Sequence, residues 1–350
     1  MSYQQTEVWC VDKEDNQLTS HPDIQQAGLW IKKGEVIAFP TETVYGLGGD
    51  ATNEEAVKKI FQAKGRPADN PLIVHIGERA QWHDLAADIP EMARQLADAF
   101  WPGALTLIVP KKPSVSNLVT AGLDSVAVRM PDHPVARALI TAAGVPVAAP
   151  SANRSGRPSP TKAEHVRRDL DGRIAGIVDG GASGYGLEST VVDCTGDEAW
   201  ILRPGGITKE EIEDILGKEK VRLPGGAPAD AKVTPKAPGM KYRHYAPDAP
   251  VYLLTDNSTE NERQMNEAKR QGSTIAVLAS EERRDEFSRC ADVFLSLGSG
   301  SRLEEVSASL YDTLRRADES GVDIIFCETF SREGLGLAIM NRLEKAAART

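Results

Sequence analysis

The sequence predicts an α/β protein in two domains. Three observations carry that expectation. Short apolar runs of strand length recur along the first part of the chain, separated by stretches with helix start and stop signals. A break in composition follows at residues 224–250, with six prolines and three glycines. Beyond it VYLL, TIAVLA, VFLSLG and VDIIFC alternate with helical stretches, the pattern of a small parallel sheet with helices packed on it.

The elements follow in order. GEVIAFP (34–40) is an apolar run stopped by Pro40, as expected of a buried strand. Thr52 and Glu55 have capping-box spacing, and the helix they open has Ala56, Ile60 and Ala63 near one face and Gly65 as its stop. PLIVHI (71–76) alternates with period two, placing Leu72, Val74 and Ile76 on one face and Ile73 and His75 on the other. ALTLIVP (104–110), VAVRM (126–130) and VPVAA (145–149) are further strands. Helices are expected near 90–100, 134–143 and 161–171, the last opened by Thr161 and Glu164. Strands near 174–178, 189–193 and 199–203 come next, then a helix from Thr208 to Ile215 stopped by Gly217. The expected domains are 1–219, a linker at 220–249, and 250–350.

With 350 residues the chain is long enough for two domains. Its formal net charge of −10 argues against a protein that coats nucleic acid, where a basic face supplies affinity. No apolar run reaches membrane-spanning length, and MSYQQTEVWCVDKEDNQ is no secretory signal. Cys10, Cys194, Cys290 and Cys327 form neither a CxxC pair nor a metal cluster, so a reduced, cytoplasmic protein is expected.

Two segments about ninety residues apart suggest one anion-binding site. In FPTETVYGLGGD a strand empties into a Thr/Gly-rich turn, and the next helix ends on Lys64-Gly65-Arg66. Near Pro150 another strand empties into Ser151-Ala152-Asn153. Ligands of open α/β sheets sit beyond the carboxyl ends of strands. Each residue also has a plainer reading. Lys64 and Arg66 suit a helix C-terminus, His75 suits a hydrogen-bonded core, Ser151 and Asn153 suit a turn, and Thr161 suits an N-cap. Gly46, Gly48 and Gly49 suit a tight turn, although glycine also lets backbone N–H groups approach an anion. Arg129 reads either as a buried arginine with a partner, as an edge-strand residue, or as a fork for a carboxylate.

The joint pattern goes further. FPTETVYGLG, KGR with NPLIVHI, VAVRMPDH, APSANRSGRPSPT, LESTVVD and ILRPG together resemble the YrdC-type threonylcarbamoyl-AMP synthases over roughly residues 20–217. APGMKYRHYAP, YDTLRRADESGVDIIFCETF and GLGLAIMNRL resemble the linker and tail of that family's long, two-domain form. The resemblance implies a twisted mixed sheet flanked by helices in the first domain, with a smaller Rossmann-like parallel α/β domain after it. It implies synthesis of threonylcarbamoyl-adenylate from L-threonine, bicarbonate and ATP with release of pyrophosphate. The product would pass to a separate transferase that modifies the adenosine beside the anticodon of tRNAs reading A-starting codons, with weak or no direct tRNA binding.

By residue, the resemblance implies that Lys64 and Arg66 clamp phosphates and are the catalytic cations. Asn70, Ser125, Asn153, Thr161 and Arg203 would complete the ATP site. Thr43, His75, Arg129, Ser151 and Ser189 would hold threonine, with Arg129 facing its carboxylate. Mg2+ would be held mainly by the ATP phosphates, because the motifs offer no dense carboxylate cluster. In the linker, Tyr242, His244 and Tyr245 lie between prolines and are expected to form a lid, with domain glue as the competing role. Three other functions compete: a carbamoyl-adenylate module of hydrogenase maturation, which the lack of cysteine clusters opposes; an RNA-binding factor, which the acidic balance opposes; and a regulatory nucleotide sensor without turnover, which pyrophosphate release dependent on threonine and bicarbonate together would exclude.

Overall fold

Eleven strands pair into one mixed sheet in the computed structural model, which describes residues 3, 5–224, 235–237 and 244–347. They are β1 (Glu7–Cys10), β2 (Ile37–Phe39), β3 (Gly46–Asp50), β4 (Ile73–His75), β5 (Leu105–Pro110), β6 (Ser125–Arg129), β7 (Val147–Ala148), β8 (Gly176–Asp179), β9 (Thr190–Asp193), β10 (Ala199–Arg203) and β11 (Val221–Arg222). Their order across the sheet is β1-β8-β2-β3-β7-β4-β6-β5-β9-β10-β11. Pairings β1–β8, β2–β8, β4–β6, β5–β9 and β10–β11 are parallel, and β2–β3, β3–β7, β4–β7, β5–β6 and β9–β10 antiparallel.

The two sheet faces have separate cores. Leu72, Val74 and Ile76 join Leu47, Leu107 and Val128 on one face, as the period-two alternation requires. On the other, Ile37, Phe39 and Val147 pack against the helices Pro22–Lys32 and Pro134–Ala143. Those helices approach closely because Gly28 has no side chain: a Cβ there would lie 2.8 Å from Ala142. Ile73, Ile108, Ala127 and Val191 continue this second face over β4, β5, β6 and β9, where Ala237 covers them.

Several local expectations need correction. Gly46, Gly48 and Gly49 are not a turn; they belong to β3, buried throughout. Gly48 faces the Phe39 ring and Val147 so closely that a Cβ would come within 2.7 Å of each. The cap of the helix Glu54–Lys64 is Asn53, whose Oδ1 accepts from Glu55 and Ala56 N–H, while the Thr52 hydroxyl donates to Asp50. The helix Ala163–Leu170 starts after Lys162 without a side-chain cap, and Thr161 instead donates its N–H to His165 Nδ1. The helix Lys209–Leu216 has the full capping box of Thr208 and Glu211, with Gly217 at its end.

Four parallel strands form a second sheet, β12 (Val251–Leu253), β13 (Ile275–Ala279), β14 (Val293–Ser296) and β15 (Ile324–Cys327), in the order β12-β15-β13-β14. The helices Ser258–Arg270, Leu303–Glu319 and Leu335–Ala346 alternate with them. By contacts the chain divides into two units. One comprises Met1–Ser155, Pro160–Gly184 and Glu188–Tyr242; the other Gly156–Ser159, Tyr185–Leu187 and Arg243–Thr350. Among the described residues no helix is long and apolar enough to cross a membrane.

Gly48→Ala is expected to destabilise the protein by about 1–3 kcal/mol through overpacking against Phe39 and Val147. Urea unfolding measures it, and an unchanged midpoint would show that the aromatic ring yields freely.

Candidate active site

A row of polar side chains crosses the second face of the large sheet. Register puts His75 of β4 opposite Arg129 of β6, and Arg129 opposite Thr106 of β5. Thr106 Oγ1 shares a 2.8 Å hydrogen bond with Ser189 Oγ, and Arg203 donates to the Ser189 carbonyl and hydroxyl, both at 3.1 Å. All five residues are buried. Their positions in the strands explain why. His75, Arg129, Thr106 and Ser189 each lie two residues from Ile73, Ala127, Ile108 and Val191, so the row borders the apolar patch on the same face.

Arg129 is the centre of this row. Only 3% of it is exposed. Its Nε donates to the Gly103 carbonyl at 3.2 Å, Nη1 to Thr43 Oγ1 at 2.9 Å and Nη2 to Glu42 Oε1 at 2.6 Å. Thr43 is itself fixed by a tight turn in which Thr41 Oγ1 bonds to the Thr43 hydroxyl, the Thr43 and Val44 N–H groups and the Val44 carbonyl. Burial, then the Arg129 charge, pushes His75 down to about 3 from its ordinary 6.5. The imidazole is therefore neutral at pH 7. Its Nδ1 has no hydrogen-bond partner among the described residues.

A second group of residues gathers around the end of the helix Glu54–Lys64. Gly65 adopts φ +62° and ends the helix, turning Lys64 inward. Lys64 is buried, and its Nζ donates to the carbonyls of Ser151 (2.5 Å) and Asn153 (2.6 Å) and to Asn153 Oδ1 (3.3 Å). Ser151 Oγ donates to the same Oδ1 at 2.5 Å. Arg66 Nη2 reaches the Asn70 and Pro71 carbonyls at 3.3 Å, closing its own loop. Asn70 Oδ1 is buried without a partner among the described residues.

The structure thus joins Thr43, His75, Arg129, Ser189 and Arg203 in one row, and Lys64, Ser151 and Asn153 in one bonded cluster. Ser125 opens β6 four residues before Arg129 and pairs with Pro110; no side-chain bond ties it to either group. Thr161 is buried beside His165. The two motif turns do share one edge: β2 and β7, the strands that precede them, both run antiparallel to β3, and their carboxyl ends flank Gly46, which pairs with Phe39 on one side and bridges Ser151 on the other. The mixed sheet also gathers polar groups along a face. Glu42 and Thr106 were missed by sequence reasoning; a hydroxyl in the apolar ALTLIVP run was the available signal for Thr106.

In the linker, Tyr242 lies outside the described residues. Tyr245, at φ +65°, is buried in the second unit and stacks on Tyr311 with ring centroids 5.4 Å apart, and His244 lies tilted against it at 5.6 Å. Lys236 pairs with Asp193 at 2.9 Å, beside the fully buried Ala237.

A mixed α/β sheet carrying a buried polar row with two arginines, followed by a separate parallel α/β unit, is the frame of a two-domain ligand-binding protein. Residues 30–205 match the Sua5, YciO and YrdC family described as telomere recombination, and residues 207–348 match the threonylcarbamoyl-AMP synthase C-terminal domain. Similar proteins include the threonylcarbamoyl-AMP synthase of Bacillus subtilis, 54% identical over 98% of both chains. That of Pyrococcus abyssi is 48% identical over 93% of this chain and 94% of its own. The crystal structure of P. abyssi Sua5 complexed with L-threonine superposes with a TM-score of 0.89 at 46% identity, covering 98% of each chain. E. coli YciO, 22% identical with a TM-score of 0.50, covers 57% of this chain and 96% of its own, and shares the first fold. The chain belongs to the threonylcarbamoyl-AMP synthase family, in its two-domain form.

Stability should carry the signature of His75. Its folded pKa lies below the unfolded value, so stability is full above pH 6.5 and is lost as pH falls toward 3. From pH 7 to 5 this group alone should remove about 2 kcal/mol, and a His75→Gln variant should lose that much less. Denaturant midpoints at the two pH values test it; equal losses in both proteins would exclude a buried neutral His75 as the cause.

Proposed function

We propose that the chain condenses L-threonine, bicarbonate and ATP into threonylcarbamoyl-AMP at this site, with release of pyrophosphate. Family membership makes it a threonylcarbamoyl-AMP synthase, a nucleotidyltransferase-type enzyme serving tRNA modification. The observation that carries the finer reading is Arg129, a desolvated guanidinium in the buried polar row of the sheet. Its fork suits a carboxylate. Thr43, His75, Ser151 and Ser189 supply hydroxyls and a neutral imidazole around an amino acid. The L-threonine complex of the P. abyssi protein supports that occupant.

The chemistry follows from these groups. The threonine amine adds to bicarbonate, losing water, to give a carbamate. A carbamate oxygen attacks the α-phosphorus of ATP, and pyrophosphate leaves. Attack on a polyanion requires positive charge and alignment more than a strong base. Lys64 and Arg66 supply that charge. Lys64 also has its three N–H donors engaged by Ser151 and Asn153, so it holds the loop that lines the nucleotide side. Asn70 offers its buried oxygen to a nucleotide donor, and Ser125, Asn153, Thr161 and Arg203 complete the ATP site. Magnesium would enter on the phosphates and offset their charge. Among the described residues no group of three or more His, Cys, Asp or Glu is arranged to hold a metal. The product would pass to a separate tRNA threonylcarbamoyl transferase, without strong tRNA binding by this acidic chain.

Pyrophosphate release that needs threonine and bicarbonate together, with threonylcarbamoyl-AMP seen by mass spectrometry, tests the reaction. Lys64→Ala and Arg66→Ala should each lower turnover about tenfold or more, and Arg129→Gln should weaken threonine far more than ATP in calorimetry. Equal loss of both ligands would instead mark Arg129 as purely structural.

The linker is proposed as a strap over the product, since a mixed carbamic–phosphoric anhydride hydrolyses readily. Ala237, seated on the patch beside the threonine row, supports this. Truncation after Leu223 should then release pyrophosphate with poor recovery of intact adenylate. Normal recovery would reduce the linker to a tether.

A further inference from the structure

The Arg129–Glu42 pair has unused bonding capacity of opposite sign. A guanidinium carries five N–H groups. Three are engaged, by Gly103, Thr43 and Glu42. One N–H on each terminal nitrogen therefore has no partner among the described residues. Across the ion pair, Glu42 Oε2 is buried and also has none. Side chains of the pair are only 4% and 13% exposed, so water does not freely supply the missing bonds. Buried donors and acceptors left unmade are costly and are filled when a ligand fits them.

The unmet groups are two cationic donors and one anionic acceptor, held side by side. A zwitterion, with a carboxylate and an ammonium on one carbon, complements both. We propose that Glu42 Oε2 receives the ammonium of threonine while Arg129 takes its carboxylate, so that Glu42 selects an α-amino acid against acids lacking the amine. This rests on the reading that threonine lies on Arg129.

The alternative is that Glu42 is a resident anion that the substrate carboxylate displaces. The turn at Thr41–Val44 disfavours it. Thr41 Oγ1 ties the backbone on both sides of Glu42, and the Thr43 hydroxyl is bonded to Arg129 as well. Glu42 thus projects from a braced loop, and ejecting it would leave both its charge and the ammonium unpaired. As a positioning residue it would also orient the amine for reaction with bicarbonate.

Calorimetric titration of L-threonine and its des-amino analogue, 3-hydroxybutanoate, decides the matter. The native enzyme should prefer threonine by about a hundredfold, and this arm requires no variant to fold. Glu42→Gln keeps the side-chain length and an oxygen for Arg129. It should weaken threonine about tenfold or more, leave 3-hydroxybutanoate within about threefold, and so collapse the preference; Glu42→Asp should restore part of it. Equal affinity of the native enzyme for both ligands overturns the proposal. So does an unchanged preference in Glu42→Gln, and so does tighter binding of both ligands, the mark of a displaced counter-ion. Arg129→Gln separates the two levels. If it leaves threonine binding intact, the threonine reading itself fails; if it abolishes binding while Glu42→Gln keeps the preference, only the role of Glu42 fails.

Discussion

A charged guanidinium buried on a sheet face is the constraint around which the large unit is arranged. Glu42, Thr43 and Gly103 surround Arg129 there with acceptors. Removing one partner of such a pair costs about 3–5 kcal/mol, because the other charge is left stranded. The tight turn at Thr41–Val44, the residue that follows the cis Trp101–Pro102 bond and its neighbour, and the end of β6 must therefore hold their places together. They come from three separate parts of the chain, and Arg129 ties them.

The same charge sets the chemistry of its neighbour. His75 lies in register with Arg129 on the adjacent strand and is buried, and both effects favour the neutral imidazole. A neutral ring can accept or donate a hydrogen bond without bringing a second cation into the row. Lys64 illustrates the other arrangement. Its ammonium is buried too, and the carbonyls of Ser151 and Asn153 accept from it together with the Asn153 side-chain oxygen.

Much of this was legible in the sequence, for identifiable reasons. β10 spans Ala199–Arg203 and the helix Pro134–Ala143 runs as expected, because apolar periodicity and terminal glycines or prolines agree there. All four strands of the second sheet were also readable, since buried parallel strands appear as short apolar runs. β3 was not. Its GLGGD sequence has turn propensity, and only the facing Phe39 and Val147 reveal that the glycines are there to leave room. β1 and the helix Pro22–Lys32 carry weak local signals and owe their places to β8 and to Gly28. The helix caps at Asn53 and Lys162 were displaced by one residue from the expected positions, where several polar residues compete for one role. Arg129 stood out because a charge in an apolar strand demands a partner. Glu42 did not, because an acidic residue in a polar turn is ordinary until the fold shows what faces it.

The row also explains how so small a substrate could be recognised. Threonine offers little apolar area, and one methyl group distinguishes weakly in any pocket. Polar groups discriminate more strongly when the site leaves them desolvated and unmet, because an analogue that lacks the matching atom leaves the protein group stranded. The face of β4, β6 and β5 has such groups: His75 Nδ1, two Arg129 N–H groups and, from the adjoining turn, Glu42 Oε2. Their burial between a helix-covered half of the sheet and the seat of Ala237 keeps solvent from filling those bonds. ATP needs no such precision from its phosphates, for which loop cations suffice. Under the proposed assignment, most of the strand-mounted row would read threonine and the loop-mounted cations would neutralise phosphates, with Arg203 of the row and Ser151 of the loop crossing between the two.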